Sequence, residues 1–418
     1  MIPEASLFTV ALGLQEPWFV SDVRFDPAEK EVHIDVEFRS GSRFACPSCG
    51  AEGQRVHDTR QRKWEHLRLF EHKAFIHAAV PRVACGKCGK TSQVPVPWAR
   101  SGSGLSQLFE AFVIALARLM PVKAVADLLE TGDDRIWRVL DHYVPKAREL
   151  EDFGGVTRVG IDETASRRGH TYITLFHDLD ERRLLFACEG RDADTVKTFT
   201  EDFRAHGGAP EAVTAACIDM SRSYIAGVTR HLPQADITFD PFHIIQLANA
   251  ALEEVRRAEV RSEPALRRSR WMWLKDKAKW TKKQIIQHHE LSRMRLKTGR
   301  AYRLKEVLRD ILATSQSKQE AEQRLQAWYQ WARRCGLEPF KKLALTLKRH
   351  WQGILNGFDS NLSNGGVEAI NGLIQAAKAR ARGYRKPRNL IIMAYLIAGR
   401  LSRLPASPYA TTSGAVLA

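Results

Sequence analysis

No stretch of this 418-residue chain stays apolar for long. The two most hydrophobic runs, 111–119 and 390–399, fall well short of the roughly 18 residues that a membrane-spanning helix needs. The amino terminus, Met1-Ile2-Pro3-Glu4, lacks the basic flank of a signal peptide, so the expected setting is the cytosol. Internal repeats and low-complexity tracts are missing too. With 44% hydrophobic and 27% charged residues, the composition excludes a fibre and pervasive disorder. Acidic charge is in short supply: 48 Asp+Glu oppose 64 Lys+Arg, leaving +16. Such a balance favours a polyanionic partner. The length suggests two or three domains, at about 150 residues each.

The positive excess is local. Between 255 and 305 stand seventeen Lys+Arg and four acidic residues, Lys282 and Lys283 among the cations. After Glu368 no acidic residue follows, whereas Lys378, Arg380, Arg382, Arg385, Lys386, Arg388, Arg400 and Arg403 do. An isolated charge run is usually a solvated helix face. Two large blocks of one sign repel themselves and read instead as phosphate-facing surface. Trp271, Trp273 and Trp280 lie within the first block and either pack in a core or stack on bases.

Four of the seven cysteines form two pairs, Cys46-Pro-Ser-Cys49-Gly and Cys85-Gly-Lys-Cys88-Gly. Two C-x-x-C pairs a few tens of residues apart supply four thiolates to one structural Zn2+. The glycines permit the positive φ that such knuckles require. Zinc would contribute on the order of 10 kcal/mol to a small lobe without a large core of its own. Cys188, Cys217 and Cys335 sit among apolar neighbours, as packing residues do.

Along the chain, Val32-His33-Ile34-Asp35-Val36-Glu37-Phe38 alternates as a half-buried strand. With the knuckles it makes 1–97 a β-rich zinc-binding lobe. The stretch 93–104, rich in Pro, Gly and Ser, reads as a linker. Helical patterns follow at 105–120, 122–129 and 133–143. They fit a helix-turn-helix over 104–150 with Arg135, Trp137 and Arg138 on the candidate recognition helix. An ordinary helical hairpin has the same pattern. From Gly154 three strands (156–161, 170–177, 183–189) precede a helix, a strand (212–218), a helix and a strand (235–239). This order matches a ribonuclease-H-like mixed α/β sheet. The expected fold is therefore multidomain, α+β and α/β. A catalytic core at 154–245 and 358–405 is interrupted by a basic helical insertion at 246–357, and a tail occupies 406–418.

Three carboxylates stand out. Asp162 ends a predicted strand in Val159-Gly160-Ile161-Asp162-Glu163, and Asp219 ends another in Ile218-Asp219-Met220-Ser221. Carboxylates at the ends of neighbouring strands converge on one cleft and suit Mg2+ or Mn2+. Glu368 lies in Ser363-Asn364-Gly365-Gly366-Val367-Glu368-Ala369-Ile370-Asn371-Gly372, where little bulk surrounds it. Isolated among cations, it is either an ion-pair partner or a metal ligand. Two metals roughly 4 Å apart would activate a nucleophile and stabilise the leaving oxygen in phosphodiester attack. Glu163, Asp236 and above all Asp240, in Asp240-Pro241-Phe242-His243, compete for these roles.

Together these motifs resemble the ISL3 family of bacterial insertion-sequence transposases, with Arg382-Gly383-Tyr384 completing the pattern. The resemblance spans almost the whole chain. It implies a DDE triad of Asp162, Asp219 and Glu368 holding two Mg2+ or Mn2+ ions, with Asp240, His243 and Asn364 around it. Also implied are zinc at Cys46, Cys49, Cys85 and Cys88, and DNA ends and target DNA as substrates. Contacts to that DNA are expected from Arg135, Arg138, Lys282, Lys283, Lys378, Arg380, Arg382 and Arg385. A dimer or larger assembly on the bacterial nucleoid is expected. Two readings compete with it: a zinc-containing DNA-binding regulator without catalysis, and a structure-specific nuclease of the same fold.

Overall fold

The computed structural model describes residues 4–167, 171–359 and 365–409, excluding the side chains of Glu4, Arg167, Thr171, Asp359 and 365–368. It divides into two compact units, 1–145 with 403–418, and 146–402. No helix among the described residues is long and apolar enough to cross a membrane.

In the first unit a short helix α1 (Glu4–Ala11) precedes strands β1 (Trp18–Asp26), β2 (Glu31–Phe38), β3 (Arg43–Phe44), β4 (Gln54–Leu69), β5 (His72–Ala84) and β6 (Thr91–Gln93). The sheet runs β1-β2-β5-β4-β3, with β6 on β5. The alternation in β2 is realised: Val32, Ile34 and Val36 are buried and the residues between them are not. Contrary to the sequence expectation, this lobe has a core of its own. Trp18 and Trp64 both set their edges against Trp98, with ring centroids 5.1 and 5.5 Å away. Trp98 and Ala99 lie in the stretch that reads as a linker, yet both are buried. Apolar burial outweighs the Pro, Gly and Ser content there.

Three helices complete the unit: α2 (Gln107–Leu119), α3 (Val122–Leu128) and α4 (Asp133–Glu149). Ser106 caps α2 by accepting from the Phe109 amide. In the turn between α3 and α4 the left-handed residue is Glu130, not the glycine the sequence offers. Its carboxylate binds Arg68 and Lys73, each at 2.8 Å, which offsets the strain of that conformation.

The second unit carries a five-stranded sheet of β7 (Arg158–Arg167), β8 (Thr171–Asp178), β9 (Arg183–Glu189), β10 (Ala215–Ile218) and β11 (Asp236–Phe239), ordered β11-β10-β7-β8-β9. The first three strands are antiparallel, and β10 and β11 run parallel to β7. Helices α5 (Ala193–Ala205) and α6 (Arg222–His231) make the crossovers. This is the ribonuclease-H-like order expected from the sequence.

Beyond β11 the chain is helical: α7 (Pro241–Glu259), α8 (Arg270–Leu274), α9 (Lys282–Ser292), α10 (Lys297–Thr314), α11 (Lys318–Arg334), α12 (Glu338–Arg349), α13 (Trp351–Asp359), α14 (Gly365–Arg380) and α15 (Pro387–Ala398). One continuous apolar cluster joins the sheet to the helices from α7 to α13, with α13 packed on β11. Within it Trp273 and Trp328 are fully buried, and their indole N–H groups donate to Ser269 Oγ and the Leu304 carbonyl. Those two tryptophans are core, whereas Trp271 is 58% exposed beneath Arg270.

Helix α13 lies directly on the edge strand β11. Asn356 donates to the Ile237 carbonyl, and a Cβ at Gly353 would lie 2.3 Å from the Phe239 ring. Gly353→Ala is therefore expected to cost about 1–3 kcal/mol through overpacking. A lowered thermal midpoint checks this, and an unchanged one would show that the edge is loosely covered.

Candidate active site and zinc centre

In the first unit, each cysteine pair closes a matched knuckle. The Gly50 and Gly89 amides donate to the Cys46 and Cys85 carbonyls, and both glycines have positive φ, 72° and 68°. The four Sγ atoms lie within 4.8 Å of one another, with Cys46–Cys88 at 3.8 Å and Cys49–Cys85 at 3.6 Å. A tetrahedron with Zn–S bonds of about 2.3 Å has edges of about 3.8 Å, so the thiols fit zinc. Backbone N–H donation from Cys88 heads the causes that lower the Cys85 thiol to about 6, which makes it a thiolate at neutral pH.

The second centre forms where one strand stops short. Asp162 does not end its strand, as the sequence suggests; β7 continues to Arg167 and pairs Asp162 with Leu175 of β8. Its other neighbour, β10, pairs Cys217 with Gly160 and ends at Ile218. Carrying that register on by two residues places Asp219 beside Asp162. The strand break leaves a cleft of about 390 Å³, lined by Asp162, Glu163, Asp219, Asp240, His243 and Asn371 among others.

Backbone amides and side chains hold these carboxylates. Asp162 Oδ1 accepts from the Glu163 amide at 2.7 Å, and Oδ2 accepts from Asn371 Nδ2. Asp219 accepts from the Ser221 amide at 2.8 Å. Asp240 caps α7 through the Phe242 amide at 2.8 Å. His243 Nε2 lies 3.9 Å from Asp162 and 3.8 Å from Asp240. Among the described residues, no Lys or Arg forms an ion pair with Asp162 or Asp219. Burial, reinforced by Asp240 and Asp219, pushes Asp162 up to about 6. Glu163 is raised as well, by burial first and Asp219 second. Crowded acids without a countercharge are the donor set of a hard divalent cation. The structure brings Asp162, Asp219, Asp240 and His243 together; Asn364 and the Glu368 side chain lie outside the described residues.

The candidate DNA contacts differ in freedom. Arg135 is half-buried, donating to Glu65 at 2.7 Å, Thr131 and the Gly104 carbonyl, so it binds α4 to the sheet. Arg138, one turn on, is exposed. Lys282 and Lys283 are exposed in the first turn of α9, where the helix dipole leaves their charge uncompensated. Lys378, Arg382 and Arg385 line a second cavity with Gln375, a residue that also lines the carboxylate cleft. Lys378 donates to the Ala165 carbonyl, and Arg380, Arg382 and Arg385 are exposed. Sequence reasoning gave no role to Asn371. The available signal was its place three residues after Glu368, on the same helical face.

Comparison with known proteins agrees along the chain. Residues 42–88 match the zinc-finger of transposase IS204/IS1001/IS1096/IS1165, and 94–144 the helix-turn-helix domain of transposase family ISL3. Residues 159–394 match the DDE transposase family of the ISL3 type. The transposase for insertion sequence element IS1557 of Mycobacterium tuberculosis is 30% identical, covering 96% of this chain and 97% of its own. That for IS1001 of Bordetella parapertussis is 29% identical, covering 81% and 85%.

Proposed function

Because the chain belongs to the ISL3 family of insertion-sequence transposases, we propose that Asp162, Asp219 and Glu368 are the carboxylates its DDE core uses to cleave element ends and join them to new DNA. The observation that carries this is the notch where β10 ends beside β7, which sets Asp162 next to Asp219 with no Lys or Arg ion pair to either among the described residues. Metal ions held there, two Mg2+ in this reading, supply charge neutralisation and nucleophile activation for in-line phosphoryl transfer.

The residues around the triad orient it. Asp240 caps α7 and shares His243 with Asp162, which suits a supporting role beside the Asp162–Asp219 pair. Zinc holds the knuckles of the amino-terminal lobe, and that lobe with α2–α4 binds the terminal inverted repeats. Arg138, Lys282, Lys283, Arg380, Arg382 and Arg385 face phosphates, with Lys378 beside them, while Arg135 supports α4. We divide the chain into 1–97, to which the buried Trp98 and Ala99 add, 104–150, the split core 154–245 and 358–405, the insertion 246–357 and the tail 406–418. Two ends held together require a dimer or larger assembly, acting on the nucleoid in the cytoplasm.

The deciding experiment incubates the purified chain and Mg2+ with DNA carrying the ends of its own element. Cleaved ends joined to a target plasmid are expected. Cleavage without joining would make the chain a nuclease, and binding without cleavage a regulator. Affinity for end DNA should fall steeply with salt, and removing Lys282 and Lys283 together should reduce the log–log slope by about 1–2. An unchanged slope would take α9 out of the interface.

A further inference from the structure

The hydrogen bond that holds Asp162 comes from an amide with two unlike ends. Asn371 Nδ2 donates to Asp162 Oδ2, while Asn371 Oδ1 is buried and without a hydrogen-bond partner. Turned over, the same amide would press a carbonyl oxygen against a carboxylate. Asp162 favours the N–H end, yet that orientation leaves Oδ1 a buried acceptor that costs about 1–3 kcal/mol unless a donor serves it. On β8, opposite Gly160, His177 is completely buried, and neither of its ring nitrogens has a partner. The Asn371 side chain is the one polar group that favours protonation of this ring, against a burial that lowers it to about 4. A neutral imidazole keeps one N–H donor, and the register of β7 and β8 puts His177 on the sheet face of Asp162, where Asn371 Oδ1 is the buried acceptor still without a partner.

We propose that Asn371 is a positioning residue for the catalytic centre, its amide oriented by the buried His177 so that the N–H end holds Asp162. The inference rests on the reading of Asp162 as a metal ligand. Three elements meet in this contact: β8 supplies the ring, α14 the amide and β7 the carboxylate. It docks on β7 the turn of α14 that follows position 368. Each Asp162 oxygen accepts one hydrogen bond, from Glu163 or from Asn371, and keeps a second lone pair for a ligand. Groups that fix a metal-binding side chain in this way typically change metal affinity or activity 10–100-fold.

The test compares N371A, H177F, the double variant and H177Q with the wild-type chain. Mn2+ binding is read by electron paramagnetic resonance without DNA, and end cleavage is followed as a function of Mn2+. End binding is measured in Ca2+. N371A is expected to weaken Mn2+ binding and slow cleavage about 10–100-fold, with end binding within about twofold of wild type. H177F should act in the same direction and add nothing further to N371A, because the ring works through the amide. H177Q keeps an N–H donor and should retain wild-type values. Wild-type Mn2+ binding in N371A, or effects of N371A and H177F that multiply, would overturn the proposal; N371A alone decides it if H177F does not fold. D162N, run in parallel, separates the two readings. If D162N keeps Mn2+ binding and cleavage, the active-site assignment fails; if D162N loses both while N371A is normal, only the role of Asn371 fails.

Discussion

Asp162→Asn is expected to abolish end cleavage, by roughly a thousandfold or more, since under the proposed triad it would remove a metal-holding carboxylate and several kcal/mol of transition-state stabilisation. End binding, which belongs to other surfaces, should stay near wild type. A second consequence follows from the buried charge. Asp162 ordinarily titrates near 3.8 and here near 6, burial being the main cause. Between those values the folded state holds the proton more tightly than the unfolded chain, so folding stability falls as pH rises from about 4 to about 6. Above that range the ionised carboxylate destabilises the metal-free fold by a constant amount. In EDTA at pH 7.5 the asparagine variant should therefore melt above the wild type. The gap should close as pH falls through about 6 towards 4. Asp219→Asn should match it in cleavage. Asp240→Asn should lose less, because asparagine preserves the cap on α7. Gel shifts, cleavage assays and melts at several pH values check all three. Retained cleavage by D162N would remove Asp162 from the triad, and equal losses in D219N and D240N would leave the second carboxylate undecided between them.

Local pattern made much of this architecture legible. Alternation in β2, helical spacing in α2 and α3, the knuckle glycines and the order of strands and helices in the core all depend on residues near one another in sequence. What escaped depends on partners far away. β7 outruns its predicted end at 161 because β8 continues to pair with it, and that extra length creates the notch beside Asp162. The stretch 93–104 carries loop-forming residues, but Trp98 finds Trp18 and Trp64, 80 and 34 residues away, and becomes core. Arg135 reads as a DNA contact on a helix face until Glu65, seventy residues back, accepts its guanidinium. Asn371 and Asp162 stand 209 positions apart, and only the packing of α14 on β7 brings them together. The cysteine pairs were readable because a zinc knuckle demands fixed spacing. A side chain such as Asn371, which donates to Asp162, obeys no such spacing, since any element that reaches the cleft can supply it.

Zinc removal is the other large expected effect, and the tryptophan core changes its form. A lobe held by metal alone would unfold on chelation, because structural zinc contributes on the order of 10 kcal/mol at pH 7. Here Trp18, Trp64 and Trp98 pack with Val32, Ile34 and Ile76 in a core of the lobe's own. Each fully buried large side chain in that core contributes about 1.5–3 kcal/mol. Chelation should therefore loosen the knuckles and the short strands β3 and β6 while the central sheet stays folded. The purified chain should carry one zinc, released by a strong chelator or by acid, since the ligands must be thiolates. Release should expose four thiols to a thiol reagent, including Cys46 and Cys85, which are 1% and 3% exposed in the closed site. The near-ultraviolet signal of the three tryptophans should persist, and Cys85→Ser should reproduce the zinc-free behaviour. If that signal collapses on chelation, the metal and not the tryptophan cluster holds the sheet. If the serine variant still carries a full equivalent of zinc, the four-thiolate site is wrong.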